Sequence, residues 1–224
     1  MNKLDQIAEQ AHRQFEARTA ARDRALMQAR KLTRHSAHAI RAIHRSEKDA
    51  AKEELDQAQQ LVDTLKNDLV EYPDLFYAGY TQDAIKEFVE ASITTALIQD
   101  QPLPSPEELD VESATYLNGL AETTGELRRR CLDILRQGYS KEAERLLNAM
   151  DDIYAVLVTM DYPDAITSGL RRQTDLVRGI LERTRGDLTI SLREEQLKQV
   201  MRDLMEKLPS EPGQPDATQD HSSL

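Results

Sequence analysis

The sequence predicts an all-α fold: a single-domain bundle of six to seven helices over residues 1–208, followed by a disordered tail at 209–224. Three observations carry this. Apolar residues recur at three- and four-residue steps along most of the chain, and no stretch alternates as a strand would. Glycine and proline are scarce, at eight each in 224 residues. Aromatic residues make up 4% and tryptophan is absent, so the core must be built from Leu, Ile, Ala and Val.

The elements follow in order. Residues 2–45 read as one long helix without Gly or Pro, with Leu26, Ala29, Leu32, Ala37, Ile40 and Ile43 on its apolar face. Ser46 can cap a second helix to about residue 71, striped by Leu55, Ala58, Leu61, Val62, Leu65 and Leu69. YPDLFYAGY, 72–80, reads as a turn that holds three of the seven tyrosines. A third helix is expected over 81–99. Ser105-Pro106-Glu107-Glu108 has the form of a capping box opening a short helix. A fourth helix should run from 113 to 137 and stop at Gly138, and a fifth from Ser140 to about 160. A sixth starts at Pro163 and runs to Thr184, where Gly186 is expected to break it. Residues 191–208 form a last amphipathic helix, and the polar, Pro-containing tail lacks the apolar surface to fold.

Composition excludes several classes. The single cysteine, Cys131, rules out an internal disulfide framework and a Cys-based zinc cluster, and it falls on an apolar helix face as a core thiol. No P-loop, GxGxxG, nucleophile elbow, HExxH or Cys–His pair is present. No signal peptide or membrane-length apolar run is seen, so a cytoplasmic protein without a membrane partner is expected.

Charge is distributed unevenly. The chain carries −11, yet residues 1–45 hold ten Lys/Arg against four Asp/Glu, a local +6 that leaves −17 for the rest. Arginines outnumber lysines 20 to 9, and arginine is the better bidentate ligand for phosphate. Arg30, Arg34, Arg41 and Arg45 are the candidate nucleic-acid-binding residues. The other reading of this arm is an Arg-rich helix packed against the acidic residues of 47–71.

Two acidic pairs stand out. At 100° per residue, Leu117, Leu120, Leu127, Cys131 and Ile134 share one face of the fourth helix, and Glu122 and Glu126 point the other way, flanked by Gly119 and Gly125. Those glycines leave room for a neighbouring backbone or a substrate. On the third helix, Ile85, Phe88, Val89, Ser92 and Ala96 face inward, and Glu87 and Glu90 face away. If the two helices lie side by side, four carboxylates converge and need a cation to offset their repulsion. Oxygen-only ligands suit Mg²⁺ or Mn²⁺. In a chain with 40 acidic residues, solvated helix faces are the other reading of these pairs.

FYAGYTQDAIKEFVEASI, followed by YLNGLAETTGELRRRCLDIL, resembles the translin family, and most closely the translin-associated factor X branch and its archaeal relatives. ARKLTRHSAHAIRAIHR, 29–45, resembles that family's first long helix. The most specific parts are the EFVEA box and the Y-L-x-G-L-A-D/E-x-x-G-E-L-x-R box. The resemblance covers roughly residues 25–185. It implies a seven-helix all-α fold and binding of single-stranded RNA, with single-stranded DNA as a second ligand. It also implies assembly into hollow homo-oligomers, often octamers, or hetero-oligomers with a related subunit. The factor X branch is a Mg²⁺-dependent endoribonuclease, and its acidic positions fall here on Glu87, Glu90, Glu122 and Glu126, which the resemblance makes both catalytic and metal-holding. The family's third acid is usually Asp. Glu122 reaches about one bond further, and Mg²⁺ geometry is sensitive to such a change.

Overall fold

The computed structural model describes residues 2–207. They form eight helices: α1 (Lys3–His44), α2 (Lys48–Asp68), α3 (Pro73–Phe76), α4 (Gly79–Ile98), α5 (Ser113–Leu135), α6 (Lys141–Leu157), α7 (Asp164–Thr167) and α8 (Leu170–Lys207). No strand occurs among the described residues. Two of the eight, α3 and α7, are single turns of four residues. The tail expected to be disordered lies outside the described residues.

α1 is held by small side chains. Ala21, Ala25, Ala29, Leu32, Ser36, Ala39, Ile40 and Ile43 are buried along one stripe, which lets α2 and α4 come close. α2 runs antiparallel beside it: Gln28 donates to Asp68 at 2.6 Å and His35 meets Glu54 at 2.6 Å. α4 is buried on nearly all sides, with Ile85, Phe88, Val89 and Ile93 at its centre. α5 lies parallel to α4, since Thr115 donates to Gln82 and, further along both helices, Thr123 donates to the Glu90 carbonyl. α6 returns antiparallel to α5, where the Cys131 thiol is buried against the Ala143 carbonyl at 3.6 Å. α8 closes the bundle, burying Leu170, Val177, Leu181, Thr184 and Leu188.

Several boundaries differ from the sequence reading. The 72–80 segment read as a turn contains α3 and the first residues of α4, and the N-cap of α2 is Glu47, not Ser46, whose backbone is left-handed (φ 62°). The helix expected from Pro163 is split, because Ser168 (φ 54°) and Gly169 (φ 83°) adopt left-handed conformations that end α7 and restart the chain as α8. Gly186 does not break that helix. α8 passes through it to Lys207, held on either side by Arg185 to Asp151 (3.0 Å) and by buried Leu188. A helical glycine costs only ~1 kcal/mol relative to alanine, which neighbouring packing outweighs. The Ser105 capping box forms, with Glu108 Oε2 accepting from the Ser105 amide at 2.7 Å, but the chain there makes turns, not a helix. Both long helices extend past the core: residues 3–20 of α1 and 189–207 of α8 bury almost nothing, exposing Leu4, Ile7, Phe15, Leu197, Met201 and Leu204.

Candidate metal centre

The site is made by the parallel contact of α4 and α5. Its closest point is Gly119, where an added Cβ would sit 2.8 Å from the Val89 side chain and 2.9 Å from the Lys86 carbonyl oxygen. Only a residue without a side chain permits that approach. One helical turn on, Glu87, Glu90 and Glu122 each offer a carboxylate oxygen, and the three atoms lie within 4.8 Å of one another. The α4 pair, turned away from that helix's inward face, therefore faces the seam with α5 and not solvent, and all three residues are half-buried. Gly125 meets nothing within 4 Å, so it leaves open space beside Glu126.

Electrostatics reflect the crowding. Burial pushes the Glu90 carboxyl up to about 8, and the neighbouring charges of Glu87, Glu122 and Glu126 push in the same direction. Glu87 is raised for the same reasons, burial first and then Glu122. A cation already stands at one edge: Lys86 Nζ donates to Glu122 Oε1 at 2.8 Å. Burial works against the Lys86 charge, but the hydrogen bond and charge of Glu122 outweigh it and raise the lysine above its usual value. Gln173 Nε2, from α8, donates to the same Glu122 oxygen at 3.0 Å.

Glu126 is placed differently. Its Oε2 is 2.6 Å from His44 Nε2, at the end of α1, and 3.4 Å from Arg129. The bond from His44 lowers the Glu126 carboxyl, against the opposing effect of burial. The His44 side chain is only 4% exposed. Glu126 thus ties α5 to the C-terminal end of the basic arm, while the other three carboxylates share a point. Arg30, Arg34, Arg41 and Arg45 are all exposed, and none forms an ion pair among the described residues. They are not the buried partners of an acidic helix. The polar side-chain contacts of α1 with α2 are instead made by Gln28 to Asp68 and by His35 and His38 to Glu54.

Three carboxylate oxygens on two helices, with a half-buried surround, match the hard, all-oxygen donor sets that Mg²⁺ and Mn²⁺ take. The arrangement defines a class: an all-helical bundle with a candidate divalent-cation site on a parallel helix seam. The chain belongs to the Translin family, whose model matches residues 20–184. It is similar to an uncharacterized protein of Methanocaldococcus jannaschii, MJ0175, at 35% identity over 182 residues, 80% of each chain. Among solved structures it resembles AfC3PO, an archaeal C3PO from A. fulgidus, at 34% identity and a TM-score of 0.77, covering 84% of this chain and 97% of that one. The structure of AfC3PO in complex with duplex RNA matches at 35% identity with the same TM-score and coverage. Apo-NeC3PO, at 21% identity and a TM-score of 0.73 over 85% of this chain and 98% of that one, shares the fold. No helix among the described residues is long and apolar enough to cross a membrane.

Proposed function

We propose that this protein binds RNA and cleaves it as a Mg²⁺- or Mn²⁺-dependent endoribonuclease. The observation that supports this best is the meeting of Glu87, Glu90 and Glu122 within 4.8 Å across the α4–α5 seam. A divalent ion held there supplies Lewis acidity and charge neutralisation for phosphodiester hydrolysis. Glu87, Glu90 and Glu122 hold it. Glu126, kept anionic by His44, completes the acidic surround and positions the end of α1. Lys86 and Gln173 fix the Glu122 carboxylate through its Oε1. Arg30, Arg34, Arg41 and Arg45 hold the phosphate chain. They present charge without shape to read bases, so they contribute affinity more than sequence preference.

The sequence resemblance favours unpaired RNA, whereas the RNA in the AfC3PO complex is a duplex. Both belong in the test. Labelled single-stranded and duplex RNA are incubated with the protein in EDTA, Mg²⁺ and Mn²⁺, together with the double variant Glu90→Gln/Glu122→Gln. Cleavage should require the divalent ion, and the variant should lose it at least a hundredfold while still retaining RNA. Cleavage in EDTA, or undiminished cleavage by the variant, would overturn the reading. A second reading is a binding protein without turnover, for RNA or single-stranded DNA. It is favoured by Lys86, which already partly neutralises the cluster, and it predicts RNA retention with no products in either metal. We take the working form to be a homo-oligomer, as the family resemblance implies, a point that light scattering on a sizing column decides.

A further inference from the structure

A cleft of about 390 Å³ is separated from the carboxylates by the side chains of Lys86 and Gln173, which belong to its wall. Those are the two residues that bind Glu122 Oε1, so whatever enters the cleft is adjacent to the candidate metal centre. We propose that this cleft seats a nucleobase next to the phosphate being cut, and that it prefers bases bearing an amino group. The inference rests on the RNA-cleaving reading above and assigns it a base subsite.

The charge of the cleft argues against a phosphate. Lys86 is its only cation, and that ammonium is engaged by Glu122, while Asp83 and Glu112 stand at the mouth. Asp83 is 76% exposed, and its nearest cation is Lys86 at 3.9 Å. Phosphates are better served by the unpaired arginines of α1. The lips are apolar: Tyr77 is 59% exposed and Ile166 67% exposed. The Tyr77 ring is not loose. Phe76 meets it edge-on with centroids 5.2 Å apart, and its hydroxyl donates to Glu112 at 3.3 Å. A fixed, exposed aromatic face is what an unstacked base requires.

Hydrogen-bond accounting selects the base edge. Gln82 spends its amide within the protein, giving Nε2 to the Phe76 carbonyl and accepting from Thr115. Asn118 likewise gives its amide to the Ala114 and Thr167 carbonyls. The charged groups at the mouth are the carboxylates of Asp83 and Glu112, which only accept, and the exposed Ser168 hydroxyl on the same wall carries no charge and can donate or accept. The carboxylates pair with the exocyclic amines of cytosine, adenine or guanine. Uracil presents a carbonyl oxygen where cytosine has its amine, which leaves only the ring N3–H to donate to a carboxylate and makes uracil the weaker ligand.

Cytosine and uracil differ mainly at that edge, so oligo(C) and oligo(U) of equal length are the probes. Binding is read by fluorescence anisotropy in EDTA, where cleavage does not interfere. Wild type should bind oligo(C) at least fivefold more tightly than oligo(U). Asp83→Asn/Glu112→Gln should abolish that ratio. Tyr77→Ala should weaken both oligomers about tenfold, the loss expected of one stacked base, while Tyr77→Phe retains binding. All of these positions are exposed, and circular dichroism checks that each variant folds. Equal affinity for the two oligomers, or wild-type binding by Tyr77→Ala, overturns the base subsite and leaves RNA binding through α1 standing. If neither oligomer binds wild type, the RNA reading falls along with the subsite.

Discussion

Glu90 is the residue on which the site's electrostatics turn. Its carboxyl titrates near 8 in the fold, against 4.5 for an ordinary glutamate, because it is buried among like charges. The folded state therefore keeps a proton that the unfolded chain releases, and metal-free stability falls as pH rises from about 4.5 to about 8. Glu90→Gln should flatten that slope. At pH 8 without metal, the variant should melt about 3 °C or more above wild type, the shift that about one kcal/mol produces in a chain of this length. Near pH 4.5 the two should melt together. Added Mn²⁺ should offset the loss in wild type and not in the variant, and differential scanning fluorimetry across pH reads both. The glutamates themselves were legible as pairs on two helices, since the wheel needs only spacing. Lys86, Gln173 and His44 were not. They reach the site from positions 36, 51 and 82 residues away from their glutamate partners, and helical periodicity carries no information over such distances.

At the scale of helices, the question is what two parallel rods require in order to touch. Gly119 supplies the contact, and its neighbours across the seam include a backbone oxygen, which cannot rotate away. Gly119→Ala should therefore separate α4 from α5, destabilise the fold by about 1–3 kcal/mol and spread the carboxylates enough to weaken Mn²⁺ binding. Gly125→Ala is the control. It projects into open space and should be neutral or stabilising by up to ~1 kcal/mol. Thermal melts and Mn²⁺ titration calorimetry on both variants separate packing from site geometry. The sequence flagged both glycines as room for a neighbour, but it could not tell which one the fold had filled. Its error at Gly186 has the same origin: propensity is local, and the packing of α8 on α6 is not.

Across the whole molecule, charge and core divide the labour. Burial in α1 begins at Ala21 and burial in α8 ends at Leu188, nearly the limits of the family match at 20 and 184. The arginines sit on the outer face of that core, without counter-ions among the described residues. Arg41→Gln/Arg45→Gln should therefore weaken binding of all RNA sequences alike. The double variant should also reduce the slope of log affinity against log salt by about 0.7 for each phosphate that is no longer neutralised, measured by anisotropy over a salt titration. An unchanged slope would remove these two residues from the interface. The all-α class, the long first helix and the uneven charge were readable from composition and period. The parallel order of α4 and α5 was not, because helix order in space depends on which faces pair and no motif encodes that.

The parallel order places a demand on the connecting segment. After twenty residues of α4, about 30 Å of helix, the chain must travel back to where it began before α5 can start. Only residues 99–112 do this, a strap whose full stretch is about 48 Å. Surface connections usually accept shortening, but this one spends its spare length on the turns over residues 105–111. Removing four of its residues would leave about 34 Å of reach for a return of about 30 Å, which a nearly straight chain could make only by giving up those hydrogen-bonded turns.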